Sequence, residues 1–219
     1  LLSLLTIEEP EAHLCYQNEE IMVSYINSLR NKNLQLVYAT HSNKFIDKFN
    51  LDKVIIFENG KAYALGEAVD GNERAYLAKN PNLDLFKLFY SKNCILVEGI
   101  SEELLIKAYI QKKDNSLNNI EVLSFHKGFK SIIEIWLKIN KGTGNKLGII
   151  RDFDNEEKSK SDHERYNQYK NIQVATTKKY TLEDDFVNEE NNFEILKDYF
   201  EKEHNWVDID TPDKLSDKW

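Results

Sequence analysis

Long hydrophobic runs are absent from this 219-residue chain. No apolar stretch approaches the ~18–20 residues that cross a bilayer, so no membrane span is expected. The opening Leu1-Leu2-Ser3-Leu4-Leu5 has no basic flank and runs into Glu8-Glu9, so it does not read as a signal peptide. Cysteine is scarce as well. Only Cys15 and Cys94 occur; with Cys94 inside an apolar run, they read as reduced, buried thiols of a cytoplasmic protein. An excess of positive charge is also missing: 29 Lys and Arg against 37 Asp and Glu leave a net −8. That balance argues against broad electrostatic affinity for a polyanion. The only methionine is Met22, and the chain starts inside an apolar run, so a longer parent chain is expected. At 41% hydrophobic and 30% charged residues, it is globular in composition and long enough for one large domain or two small ones.

What is present is an alternation of strand-like and helix-like segments. The pattern predicts a buried strand over Leu1–Ile7 and a helix over Glu19–Leu29 with Ile21, Met22, Tyr25, Ile26 and Leu29 on one face. A strand at Leu34–Ala39, a short helix at Asn43–Phe49 and a strand at Val54–Phe57 follow, with Asn59-Gly60 turning into Ala62–Leu65. Residues 67–92 read as a connecting segment containing an amphipathic stretch, Leu83–Phe89. The pattern then restarts with strands at 94–97, 120–124, 147–151 and 172–175 and helices at 101–112, 129–139 and 192–203. Continuous apolar strands between helices imply βαβ units and a parallel sheet covered on both faces. The expected fold class is α/β, in three segments: 1–66, 67–92 and 93–219.

Two of these strands end in paired acids. Cys94-Ile95-Leu96-Val97 runs into Glu98-Gly99 with Glu102 behind, and Leu147-Gly148-Ile149-Ile150 runs into Asp152 and Asp154. Ligands of open α/β sheets gather at the carboxyl ends of strands, so these acids are expected in one crevice. A like-charged pair ~4 Å apart repels by roughly 4 kcal/mol at an effective dielectric near 20. Hard divalent cations with oxygen ligands relieve that repulsion. Gly99 allows close approach of backbone or phosphate, and Ser101 is the expected N-cap of the next helix. In an extended strand Asp152 and Asp154 share a face, with Phe153 behind. Glu183, in Thr181-Leu182-Glu183-Asp184-Asp185, is a fifth candidate acid; a helix start capped by Thr181 explains the same residues without a metal. Lys127 or Lys130, around Gly128, are candidate phosphate contacts, as are lysines 107, 112, 113, 158, 160, 170, 178 and 179; a solvated lysine face is the plainer reading of each.

The first segment carries a second constellation. Leu4-Leu5-Thr6-Ile7-Glu8-Glu9-Pro10-Glu11 resembles the Walker B strand of ABC-type ATPases of the SMC/Rad50-like branch. Leu36-Val37-Tyr38-Ala39-Thr40-His41 resembles their switch-histidine strand. The resemblance implies Glu8 at Mg²⁺, Glu9 at the attacking water and His41 at the γ-phosphate of ATP. Glu8 stands where the family more often has Asp. No G-x-x-x-x-G-K-[ST] loop and no Leu-Ser-Gly-Gly signature occur in the chain. The phosphate loop is therefore expected upstream of residue 1, and this chain alone is not expected to hydrolyse ATP.

The second constellation, Ile95-Leu96-Val97-Glu98-Gly99 with Glu102 and Ile149-Ile150-Arg151-Asp152-Phe153-Asp154, resembles the Toprim domain. An ABC-type ATPase end followed by a Toprim domain is similar to the OLD (overcoming lysogenisation defect) family of ATP-dependent nucleases, which includes the large subunit of the Gabija anti-phage system. The resemblance implies two Mg²⁺ or Mn²⁺ ions held by Glu98, Glu102, Asp152, Asp154 and Glu183, and hydrolysis or nicking of DNA in the cytoplasm under control of the ATPase module. It also implies a homo-oligomer formed through the ATPase part, a helicase partner and a functional lysine downstream, for which Lys214 and Lys218 are the late candidates. Anti-phage defence or DNA processing is the implied setting. Two other classes stay open: a regulatory ATP-binding module with a degenerate Toprim platform, and a primase-like nucleotidyl transferase.

Overall fold

The computed structural model describes residues 3–29, 33–45, 52–58, 60–79, 84–113, 119–125 and 128–219. The chain divides into two compact units, residues 1–86 and 87–219.

In the first unit, β1 (Ser3–Glu8) and β2 (Leu34–Ala39) pair in parallel, with Glu8 opposite Ala39. The connection between them contains α1 (Tyr16–Ser28), preceded by Cys15, which as the residue before the helix is exposed and not buried as expected. Its inward stripe differs from expectation. Ile26 is buried and Met22 and Leu29 are half-buried, while Ile21 and Tyr25 face solvent, because a spacing of four and then three residues holds one face of a helix whereas the adjacent positions rotate away. β1 departs further from expectation. Leu4 is 62% exposed and Leu5 is exposed too, since among the described residues this sheet has two strands and lacks the layers that would cover both faces.

An antiparallel hairpin of β3 (Ile55–Glu58) and β4 (Lys61–Ala64) follows. Gly60 turns it at φ +74°, a backbone region that glycine enters without penalty. Asn59 and the expected helical residues 46–49 lie outside the described residues; Asn43–Phe45 form a 3₁₀ turn. The stretch 67–92, expected as a connector, contains helix. α2 (Leu65–Ala68) and α3 (Gly71–Ala78) flank Asp70, which caps α3 while Glu73 returns the bond to the Asp70 N–H. α4 (Leu85–Tyr90) comes next.

The second unit is built on four parallel strands in the order β6-β5-β7-β8. The chain runs β5 (Asn93–Val97), α5 (Ile100–Lys113), β6 (Ile120–Ser124), α6 (Phe129–Ile139) and β7 (Lys146–Arg151). Then come α7 (Glu157–Glu164), β8 (Ile172–Thr176), α8 (Leu182–Val187), α9 (Asn192–His204) and α10 (Pro212–Lys218). On one face Val97 and Val122 pack with Ile110 of α5, joined by Ile95, Ile106, Ile120 and Ile150. The alternate strand residues Cys94, Leu96, Leu147 and Ile149 are buried as well. Both faces are therefore covered, which is why these strands read as continuous apolar runs. α6 buries Ile132, Ile133, Ile135 and Trp136 completely, and the Trp136 indole N–H donates to the Leu88 carbonyl at 3.1 Å.

The strand order locates the crevice. β5 leads outward to β6, and the chain then crosses back over β5 to reach β7 and β8. The order reverses between β5 and β7, and the carboxyl ends of strands at such a reversal are where open α/β sheets bind ligands. A smaller apolar cluster of Val187, Ile209 and Leu215, with Phe193, Leu196, Phe200 and Trp206 against it, anchors α8, α9 and α10. Phe200 and Trp206 stack with centroids 4.1 Å apart.

Candidate metal-carboxylate site

Glu98 follows β5 and Asp152 follows β7, so the strand reversal brings them together. The Asp152 N–H donates to Glu98 Oε1 at 3.0 Å. Asp152 Oδ1 in turn accepts the Leu182 N–H at 2.9 Å, which ties the opening of α8 to the same spot. Burial is the main cause that pushes the Asp152 carboxyl up to about 7, with the charges of Glu98, Glu102 and Glu183 adding to it against the Leu182 hydrogen bond. Glu98 is raised too, first by burial; Asp154 and Glu102 push the same way, while the Asp152 N–H and the Arg151 charge oppose it. The five acids expected from the sequence thus share one electrostatic neighbourhood.

The individual placements refine the sequence reading. Gly99, and not Ser101, precedes the first turn of α5: the Glu103 N–H bonds to the Gly99 carbonyl, and Ser101 lies inside the helix. Glu102, one turn in, folds its carboxylate back over Gly99. A Cβ at residue 99 would stand 2.6 Å from Glu102 Oε2, so glycine leaves the room that this carboxylate fills. Glu102 is only 7% exposed, yet among the described residues its carboxylate has no hydrogen-bond or ion-pair partner. A carboxylate left without a protein partner in a crevice keeps its oxygens available to a cation.

Asp152 and Asp154 do not share a strand face. β7 ends at Arg151, and Asp154 and Asn155 both take left-handed backbone, φ +51° and +56°. A turn replaces the extended strand that alternation requires, and Asp154 is held by its N–H on the Tyr180 carbonyl at 3.1 Å. Non-glycine residues in that region store local strain, a feature that clusters at functional sites. Thr181 caps α8 and forms a reciprocal box with Asp184. That box accounts for Asp184, leaving Glu183 with no hydrogen bond among the described residues.

All donors here are carboxylate oxygens, the set that suits Mg²⁺ or Mn²⁺. Among the described residues, no three acidic, imidazole or thiol side chains converge on one point as they stand. The reason is visible in the bonding. Glu98 and Asp152 each spend an oxygen on a backbone N–H, and like charges without a cation spread apart. The donor set is of the chemical type that such ions take.

Residues 89–154, which contain both acid-tipped strands, match the family described as "Overcoming lysogenization defect protein-like, TOPRIM domain". Residues 89–154 thus resemble an OLD-like Toprim domain. It is also 26% identical over 154 residues to "Endonuclease GajA" of Bacillus cereus (strain HuB5-5), an alignment covering 57% of this chain and 22% of that protein. The chain thus spans about a fifth of the length of that relative.

Around the Toprim acids, several residues went unremarked in the sequence. Arg151 is 4% exposed, and its guanidinium donates to Ser159 Oγ at 2.9 Å and approaches His163 Nδ1 at 3.2 Å. Its charge lies beside Glu98 and partly offsets the cluster. Glu103 accepts the Ser124 N–H at 2.8 Å and pairs with Lys107, bracing α5 on β6. Asp185 accepts the N–H groups of Lys178 and Lys179 at 2.7 and 2.8 Å. Of three consecutive acids, Asp184 closes the cap box, Asp185 fastens the loop after β8, and Glu183 makes no hydrogen bond among the described residues. Only the Thr181-x-x-Asp184 spacing signalled one of them. Lys130 is exposed on α6, and Lys127 lies outside the described residues. Lys214 bonds to Asp210, and Lys218 Nζ donates to the Val207 carbonyl at 2.9 Å.

In the first unit, Glu8 ends β1 opposite Ala39 of β2, and Glu9 and His41 follow in the two loops. His41 Nε2 stands 4.0 Å from Glu9 Oε1, with side chains 90% and 56% exposed. The organiser there is Glu11, whose Oε1 accepts the His41 N–H at 2.7 Å. Burial pushes the Glu11 carboxyl up, but hydrogen bonds from its own N–H, His41, Thr40 and Ser42 outweigh that and hold it low. Glu9 sits at φ +44°, its N–H on the Ala39 carbonyl.

Proposed function

We propose that this chain is part of a metal-dependent DNA endonuclease or nickase of the OLD type, acting in the cytoplasm in anti-phage defence or DNA processing. The observation that carries the reading is the cluster of Glu98, Glu102, Asp152, Asp154 and Glu183 at the strand reversal, with Asp152 held near 7. Supporting it are the Toprim match and the similarity to a protein named an endonuclease. Glu98, Glu102, Asp152, Asp154 and Glu183 would hold two Mg²⁺ or Mn²⁺ ions. Bound divalent ions supply an activated water and charge stabilisation at the leaving 3′-oxygen. The Asp152 N–H on Glu98 and the Leu182 N–H on Asp152 keep the two strand-end carboxylates oriented. Glu102, whose oxygens no backbone group engages, is placed to receive the proton of the attacking water.

The Glu8, Glu9 and His41 tip would belong to an ATP-binding module completed by sequence outside this chain, which gates the nuclease and mediates self-association; a helicase partner fits the same setting. The test is supercoiled plasmid with the full-length protein and Mg²⁺ or Mn²⁺. Nicking or linearisation by the wild type that is lost in Asp152→Asn and Glu98→Gln supports the reading. Cleavage that survives both substitutions contradicts it and favours a degenerate platform.

A further inference from the structure

Eight lysines around the acid strands are open to solvent by sequence, and the topology sorts them. α5 returns antiparallel to the strands, so Lys112 and Lys113 at its last turn lie at the amino edge of the sheet, far from the acids. Lys107 is taken by Glu103. Lys170 precedes β8 and shares that amino edge. Lys158 makes no side-chain contact that ties it to the acid loop. Three remain: Lys178 and Lys179 directly after β8, and Lys160 on α7, whose Nζ lies 5.5 Å from the centre of the Phe153 ring, between Asp152 and Asp154 in sequence.

The loop carrying two of these lysines is fastened to the acid turn. Thr177 Oγ1 accepts the Phe153 N–H and donates to the Lys179 carbonyl, both at 2.9 Å. The Asp185 carboxylate takes the N–H groups of Lys178 and Lys179, and the Tyr180 carbonyl takes that of Asp154. The backbone is thereby fixed while the Lys178, Lys179 and Tyr180 side chains stay exposed. None of the three ammonium groups has an ion-pair partner among the described residues, although the chain is net −8 and the loop after β8 is bonded to the acid turn. A lysine serving only to balance that charge would pair with it.

We propose that Lys160, Lys178 and Lys179 form a phosphate-binding rim beside the acid crevice, holding the DNA backbone on either side of the phosphate to be cut. The proposal rests on the nuclease reading and adds to it the residues that dock the substrate. A chain of this net charge repels a polyanion overall, so a local cationic edge is what lets the strand reach the acids. These are positioning residues: each neutralises a phosphate, and none touches the reacting atoms.

The experiment is DNA binding by the full-length protein in Ca²⁺, followed as fluorescence anisotropy of a labelled duplex across a salt series. Each lysine changed to alanine is expected to lower the slope of log affinity against log salt by about 0.9. The triple variant Lys160→Ala, Lys178→Ala, Lys179→Ala is thus expected to lose between two and three units of slope. The arginine triple variant restores it, while melting temperature and Mn²⁺ affinity stay at wild-type values, which a structural role would not allow. Lys112→Ala with Lys170→Ala leaves the slope unchanged. An unchanged slope in the alanine triple variant, or equal losses in the Lys112 and Lys170 control, overturns the rim. The two readings fail separately. Weakened binding in the triple variant with cleavage intact in Asp152→Asn keeps the rim and removes the acid site; the reverse pattern keeps the acid site and removes the rim.

Discussion

Two strand tips in this molecule carry acids, and they are built in opposite ways. At the ends of β1 and β2, Glu9 and His41 stand in solvent 4.0 Å apart, and the loop is organised by Glu11, a carboxylate well supplied with N–H donors. At the ends of β5 and β7, the acids are half-buried or buried, the Glu98 and Asp152 carboxyls are raised, first by burial and then by neighbouring acids, and Glu102 has no partner among the described residues. The first arrangement stands largely in solvent, with Glu11 Oε1 bonded and Glu11 Oε2 buried without a hydrogen-bond partner among the described residues. The second holds charge it does not neutralise, and it does so at the one position where the strand order reverses. Structure that tolerates unfavourable electrostatics in a crevice points to function there, because a fold gains nothing from such a cluster by itself.

That contrast can be broken by substitution. Asp152→Asn or Glu98→Gln is expected to reduce metal-dependent plasmid cleavage by the full-length protein more than about 100-fold, beyond the scale of an outer-shell partner. Equal loss from Glu9→Gln in the absence of nucleotide would erase the distinction. pH sharpens it next. Because the folded protein holds the Asp152 carboxyl at about 7, above its ordinary 3.8, the folded state binds that proton more tightly. In chelator, stability present at low pH is expected to fall as pH rises from about 4 through 7, and then to level off. Melts at pH 5 and 8 should differ by a few degrees, at about 2–4 °C per kcal/mol for a chain of this size. Mn²⁺ should recover the loss at pH 8, and Asp152→Asn should flatten the profile without metal.

Smaller effects test the supports. Thr181→Ala, which removes the cap beside Glu183, is expected to destabilise the protein by about 1 kcal/mol in a urea titration. Glu11→Gln keeps one acceptor oxygen and is expected to cost about 1 kcal/mol or less, with no change in Mn²⁺ affinity. A change in Mn²⁺ affinity there would blur the two tips.

The acid cluster was legible because its members follow apolar runs that parallel strands must bury, so the residues after Val97 and Arg151 had to emerge at one edge. β2, β6 and α6 were readable to the residue for the same reason: periodicity is sharp where both flanks are polar. The misreadings have physical causes too. Asp154 was placed by strand alternation, but the chain had already turned. Ser101 looked like a cap because nothing in the sequence shows that the helix is entered from Gly99, two residues sooner. Leu4 looked buried because an apolar run states a need for cover without supplying it. α10 and its aromatic cluster escaped notice because short helices leave too few turns for a period to show. The backbone ties through Thr177 and Asp185 depend on loop geometry that no spacing encodes.

The central claim is that the acids after β5 and β7 are a site for divalent cations. Mn²⁺ binding to the full-length protein, followed by electron paramagnetic resonance with wild type and Asp152→Asn side by side, tests it most directly. Up to two ions per chain are expected at this site, lost or weakened at least tenfold in Asp152→Asn and unchanged in Glu9→Gln without nucleotide. Mn²⁺ binding that is identical in wild type and Asp152→Asn would contradict it.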